Sequence, residues 1–348
     1  MKKNLIEEIN SLPPLPSSVI ELEKYKSIEN TDIMKLISII EEDPLMIVTI
    51  LKIANSSMFG FKSKIETLSR AINLLGINFT ISIAIGCAVQ NTINSNLLAY
   101  AVKNEDFLFS SALASNIVNT WVSNINLDLR NELLLPAFLQ EVGKFIISEV
   151  IQKNRKSEEF LIELEETKDT TFCEKKFTGY TCARITANIF KQWNISPNII
   201  IPIAFTENIE SCPNEFKTKA QILEVIKILC DIRYPLSDNN IHKALEKVSL
   251  YGFDIEHFIN SIDVIKEVIN QNWVTSLRLI DVAEKIPLYL KEFLKNLSDG
   301  NIYLSGAYTL GEKYDLSILE TLPVYIHKVK ERININGKDK EFNKILLV

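Results

Sequence analysis

Along the first hundred residues, apolar positions recur every three to four places in short blocks separated by turn residues, the mark of successive amphipathic helices. In "LPPLPSS" (12–18) each proline fixes its own φ and pushes the preceding residue out of the helical region, so this stretch reads as a stiff extended lead-in. Ser17 or Ser18 then caps a helix through "VIELEKYK", and Thr31 or Asp32 starts another with Ile33, Leu36, Ile37 and Ile40 on one face. Asp43 followed by Pro44 is a paired start signal, a capping carboxylate and then a ring whose missing N–H costs nothing at the first helical position. The helix "PLMIVTILKIANSSMF" should stop at Gly60, "TLSRAINLLG" should end at Gly76, and "INFTISIAIGCAVQNTI" should follow after a turn at Asn78. Five helices with short connections predict a helical bundle over about residues 1–100.

From about Asp106 the periodic segments lengthen. "FLFSSALASNIVNTWVSNI" carries small residues that let helices approach closely, and "NELLLPAFLQEVGKFIISEVIQK" reads as one helix, with Pro136 near its start or at a bend. The run "KSEEFLIELEETKD" is amphipathic through Phe160, Leu161 and Leu164 and reads as a solvated helix. Further apolar helices continue to about residue 271, with no strand alternation. Beyond lies a helix around 276–297, then "SDGNIYLSGAYTLGEKYD", rich in turn residues. In "RININGKDKEFNKILLV", Asn336–Gly337 is a favoured hairpin turn between Ile333/Ile335 and Phe342/Ile345/Leu347. The expected architecture is all-α, an N-terminal bundle (1–100) on a helical core (101–271), with room for a small β element in an extension at 272–348.

Composition narrows the function classes. The 348 residues are 47% hydrophobic and 24% charged with only 10 glycines, an ordinary globular balance. A formal charge of −6 disfavours a general electrostatic grip on nucleic acid. No window reaches the roughly 18 apolar residues of a spanning helix, and Glu7 and Glu8 break the apolar run a signal peptide needs. Cys87, Cys173, Cys182, Cys212 and Cys230 form no CxxC pair, and their odd number does not suit a disulfide framework, so a cytoplasmic setting is expected.

Candidate chemistry is sparse. Three histidines, His242, His257 and His327, share no helical face at i, i+3 or i+4, so each reads as a core or surface side chain rather than a metal ligand. No Gly-rich phosphate loop is present. Ser56 and Ser57 have no nearby His, and Cys173 and Cys182 read as small packing residues. Pro13 and Pro16 fit a polyproline ligand by spacing, but a rigid lead-in packed on the first helices is the simpler reading. No cofactor is expected.

Taken in order, the Leu-Pro-x-Leu-Pro lead-in (12–16), the Asp43–Pro44 start, "ANSSMFG" and "AINLLG" resemble the HDOD family, output-domain relatives of HD-type phosphohydrolases in bacterial signalling proteins. The likeness covers about residues 5–271. It implies an all-α fold with an HD-like core. It also implies that "FLQEVGKF" matches the segment where HD-type hydrolases hold adjacent His and Asp ligands, places taken here by Gln140 and Glu141. The remaining ligand positions fall at Ser110, at Cys182 or a neighbour, and near Glu207–Asn208. An amide does not replace imidazole as a transition-metal ligand, and a lone glutamate binds weakly. The resemblance thus implies a vestigial pocket of Ser110, Gln140, Glu141 and Cys182, with Gly143 retained for close helix packing.

The expected function is a regulatory module without catalysis, contacting signalling proteins, with no nucleic acid or membrane partner. One alternative is a metal-dependent phosphohydrolase with a rearranged set, Glu141, Glu207 and Cys182. Another is a small-molecule sensor using Gln140 and Glu141 as hydrogen-bonding groups.

Overall fold

The start signals position the first helices much as their chemistry dictates. The computed structural model describes residues 2–25, 33–61, 63–279, 307–310, 326–335 and 338–347, and the chain separates after Lys266 into two units. The first unit begins with α1 (Lys2–Ser11), α2 (Ser17–Tyr25), α3 (Ile33–Glu41), α4 (Pro44–Ala54), α5 (Leu68–Leu75) and α6 (Ile77–Ile93). The Asp43 carboxylate caps α4 by accepting from Leu45 N at 2.9 Å, with Pro44 at the first helical position. The Asn55 amide explains the "ANSSMFG" turn. It donates to the carbonyls of Leu51 and Ile65 and accepts from Ile65 N, each at 2.8 Å, tying the end of α4 to chain ten residues on. That returns the backbone to Thr67, whose hydroxyl caps α5.

Three expectations in this part need correction. Helix α4 stops at Ala54 rather than running to Gly60, because the Asn55 side chain turns the chain out of the helix; Gly60, at φ +65°, ends only the short 3-10 turn Ser57–Phe59. Helix α1 lies where no helix was expected, its charged residues hiding an i, i+4 pair, Leu5 and Ile9, that is buried. Helix α6 begins at Ile77, without a turn at Asn78, because Gly76 makes the reversal itself at φ +85°, a conformation few other residues adopt. The lead-in is anchored at one point, where the Trp193 indole N–H donates to the Pro13 carbonyl at 2.9 Å, while the side chains of Pro13, Pro14 and Pro16 are exposed.

The rest of the unit comprises α7 (Asn104–Trp121), α8 (Leu127–Leu139), α9 (Gly143–Lys153), α10 (Ser157–Thr167), α11 (Thr170–Thr178), α12 (Cys182–Gln192), α13 (Pro197–Ala204), α14 (Asn214–Leu229), α15 (Asp238–Leu250) and α16 (Ile255–Leu279), the last crossing the division after Lys266. The largely buried α7 and α8 form its centre. A Cβ at Gly86 would lie 2.1 Å from Cε1 of Phe138, so a bare Cα lets α6 press onto α8. Trp121 meets Phe258 edge-on at 4.9 Å. All five cysteines are free and buried.

The segment read as one helix bent at Pro136 is two. Pro136 lies within α8, and the break comes four residues later. Val142 N, Lys144 N and Phe145 N bond to the carbonyls three residues back, tightening the backbone before α9 starts at Gly143. Gln140 and Glu141 therefore occupy a turn rather than a helix interior. Among the described residues no single helix is long and apolar enough to cross a membrane.

The second unit contains an antiparallel sheet ordered β1 (Ala307–Leu310), β3 (Lys338–Leu347) and β2 (Ile326–Ile335), in which Ile335 pairs with Lys338 and Ile326 with Leu347. The expected hairpin strands are present, while its turn, Asn336–Gly337, lies outside the described residues. So does most of the helix expected over 276–297.

Candidate functional site

The turn between α8 and α9 is pressed against the first turns of α12. A Cβ on Gly143 would lie 2.6 Å from the Cys182 carbonyl and 2.9 Å from Thr186 N, so only glycine fits. Gly143 N donates to the Thr186 hydroxyl at 2.8 Å, which donates on to the Gln140 carbonyl at 3.1 Å. This contact fixes Glu141 and Lys144 at the centre of the core.

The Lys144 ammonium, 1% exposed, sits 2.6 Å from Glu141 and 2.8 Å from Glu174 of α11, itself wholly buried. Glu174 also accepts from Tyr100 Oη at 3.0 Å and from Cys182 N at 2.7 Å. Lys227 of α14 ion-pairs with Glu207 at 2.5 Å and reaches within 3.9 Å of Glu141. Two lysines and three carboxylates from four separate parts of the chain form one ion-pair chain. It borders a cavity of about 330 Å³ whose lining includes Glu141, Lys144, Thr206, Glu207, Lys227 and Asp231.

The electrostatics follow from burial and these pairs. Burial alone would drive the Lys144 and Lys227 ammonium groups to lose their protons, but Glu141 and Glu174 outweigh it for Lys144, and Glu141 and Glu207 for Lys227. Both are held above the usual lysine range. Burial raises the Glu141 carboxyl despite the two lysines. Partial desolvation works to raise Glu207, yet the charge and hydrogen bond of Lys227 and the Thr181 hydroxyl hold it below the ordinary range. Burial, then the charge of Glu141, pushes the Cys182 thiol well up.

Of the four residues assigned to the vestigial pocket, Glu141 lines the cavity. Gln140 is 2% exposed, and neither atom of its side-chain amide has a hydrogen-bond partner. Cys182 packs beside Thr186, with its thiol 3.9 Å from the Gln140 carbonyl. Ser110 donates to the carbonyl of Cys230, whose thiol is raised by burial and by the charge of Glu141. Glu207 also lines the cavity. Lys144, Glu174 and Lys227 were missed. Lys144 has a local partner in Glu141 at i, i+3, but its pairing with Glu174, and that of Lys227 with Glu207, joins residues distant in the chain, which no local spacing announces.

A divalent ion does not fit these donors. Glu141 and Glu207 already bind ammonium groups, Cys182 is held as a thiol, and Gln140 offers an amide. Among the described residues no three His, Cys, Asp or Glu side chains are grouped to hold a metal. His242 lies beside Glu246 at 3.5 Å, and His257 reaches the Trp121 carbonyl.

Known proteins show the same scaffold. An HDOD domain protein with unknown function from Geobacter sulfurreducens superposes with a TM-score of 0.56 at 17% identity, over 77% of this chain and 95% of that one. A protein from Marinobacter aquaeolei VT8, provisionally described as a signal transduction protein, superposes with a TM-score of 0.56 at 16% identity over 79% and 65%. At these identities the likeness shows the fold alone. An uncharacterized protein of Treponema pallidum (strain Nichols) is 24% identical over 226 residues, 62% of this chain and 41% of the relative, so the chain matches less than half of that relative's length. The HDOD domain model matches residues 12–209, more than half of the sequence, and the chain belongs to the HDOD domain family.

Proposed function

We propose that this protein is a signalling or regulatory module without catalysis, acting through protein contacts on a degenerate HD-type scaffold. One observation carries the reading: Glu141 and Glu207, the carboxylates at the ligand positions that the resemblance implies, are engaged by lysine ammonium groups, and the other such positions hold Ser110, Gln140 and Cys182. Lys144 and Lys227 engage Glu141, Glu174 and Glu207, so each of these three carboxylates already has an ammonium partner. A metal would have to displace a buried ammonium before its bound water could become a nucleophile. The cluster instead joins α9, α11 and α14 to the turn after α13, the role of a structural core. The provisional signalling description of the Marinobacter protein is consistent with this.

The test is elemental analysis of purified protein alongside a phosphodiester hydrolysis assay with added manganese. The expected result is metal well below one per chain and no turnover above a Glu141→Ala control. One ion per chain, with turnover that Glu141→Ala abolishes, would replace this reading with the phosphohydrolase one.

A further inference from the structure

A second and wider cavity, of about 670 Å³, shares Glu207 with the first. Its wall is the end of α11, the first turn of α12 and the turn after α13, and includes Lys175, Tyr180, Arg184, Asn188, Phe205 and Asn208. Its chemistry differs from that of the buried cluster. Among the described residues no carboxylate pairs with Lys175 or Arg184, and Glu207, the only acid in the wall, is held by Lys227 and the Thr181 hydroxyl. The Arg184 guanidinium stands 6.0 Å from the Tyr180 ring centre. Phe205 is packed against Ile209, Cys212, Phe216 and Ala220, which fixes it in place while it still borders the groove.

We propose that this groove binds a nucleoside phosphate, with its base against the aromatic side chains of Tyr180 and Phe205 and its phosphate between Lys175 and Arg184. An arginine fork matches phosphate oxygens in pairs, and the positive end of α12 adds to the attraction. Any nucleobase presents a face that can stack, and the amides of Asn188 and Asn208 offer both donors and acceptors to a base edge. The volume lies within the roughly 300–1,000 Å³ range of small-molecule sites. Two cations on a chain of net charge −6 suit one or two phosphates rather than a nucleic-acid backbone, which needs a longer basic track. Such a ligand would be an input to the module proposed above, but its binding does not depend on that module lacking catalysis.

The test is calorimetric titration of the full chain with AMP, GMP, ribose 5-phosphate, inorganic phosphate and a single-stranded oligonucleotide. AMP or GMP should bind more tightly than ribose 5-phosphate or phosphate. Arg184→Glu should weaken nucleotide binding by about tenfold or more with an unchanged melting temperature. Lys175→Glu, at an exposed helix position, should do the same, and Tyr180→Ala should erase the preference over ribose 5-phosphate. The proposal is overturned if nucleotides do not bind at millimolar concentration, if phosphate binds equally well, if only the oligonucleotide binds, or if both charge reversals leave the affinity unchanged.

Discussion

Two neighbouring sites in this protein share Glu207 and draw on the same kinds of side chain. In the inner one, Lys144 lies 2.6 and 2.8 Å from Glu141 and Glu174 and Lys227 lies 2.5 Å from Glu207, and all of these but the partly exposed Glu207 are buried or nearly so. In the outer one, Lys175 and Arg184 face a groove without a carboxylate partner among the described residues. A buried charge must be matched within the fold, because its desolvation is too costly to leave open. A charge at a groove wall keeps its water and remains free for a ligand. The inner site should therefore respond to substitution through stability, and the outer one through binding.

The sharpest break of that contrast is Lys144→Met. It strands Glu141 and Glu174 in the core, and losing one partner of a buried pair costs about 3–5 kcal/mol. Urea denaturation at neutral pH checks it, with the midpoint falling accordingly. Adding Glu141→Gln and Glu174→Gln should recover part of the loss, since the three charges act as a unit. If Lys144→Met melts like the parent, the cluster does not carry the structural role given to it here.

Gly143→Ala tests the packing that places the cluster. Its methyl group would meet backbone atoms of Cys182 and Thr186 that cannot swing away. Overpacking of this kind costs about 1–3 kcal/mol, readable as a lower melting temperature. An unchanged melting temperature would mean that α9 and α12 can separate without loss.

The sequence made local chemistry legible and left distant pairing hidden. Asp43–Pro44, Thr67 and Gly76 could be read because a cap or a positive φ constrains a residue through its immediate neighbours, whereas α4 stops at Ala54, short of Gly60, through a side-chain link from Asn55 to Ile65. The strands on either side of Asn336–Gly337 were visible for the same reason. Gln140 and Glu141 stand out in the sequence as a polar pair in an apolar helix pattern, but the break beside them does not. Pro136 looked like the disruption, whereas the turn is shaped by contact with α12, more than forty residues away. Lys144 was in plain view, and nothing local tied it to Glu174, or Lys227 to Glu207.

Between the two sites stands Glu207, and Glu207→Gln sharpens the boundary. Its carboxyl is held below the ordinary range, so it stabilises the fold above the unfolded carboxylate value near pH 4.3, and that contribution is lost as pH falls through the lower folded value. The variant should be less stable at pH 7, by under about 1 kcal/mol because its side chain is partly exposed and screened. The gap between the two proteins should close below pH 4. Glu141 has the opposite sign: its carboxyl is raised by burial, so its contribution is fully present below the unfolded value and fades as pH rises through the folded one. Chemical denaturation at several pH values separates the two.

The smallest effect on stability is expected at Arg184, and there the contrast is most exposed to failure. Arg184 is an exposed side chain of α12 with no ion pair among the described residues, so Arg184→Glu should move the unfolding free energy by no more than about 0.5 kcal/mol. The reversal also places an acid in the first turn of α12, where the helix dipole favours it, which works against any loss. A near-silent melt joined to lost nucleotide binding would show that the groove's charge serves a ligand rather than the fold. A melt lowered by 2 kcal/mol or more would instead show that Arg184 already has a structural partner, and the distinction between inner and outer charge would not hold.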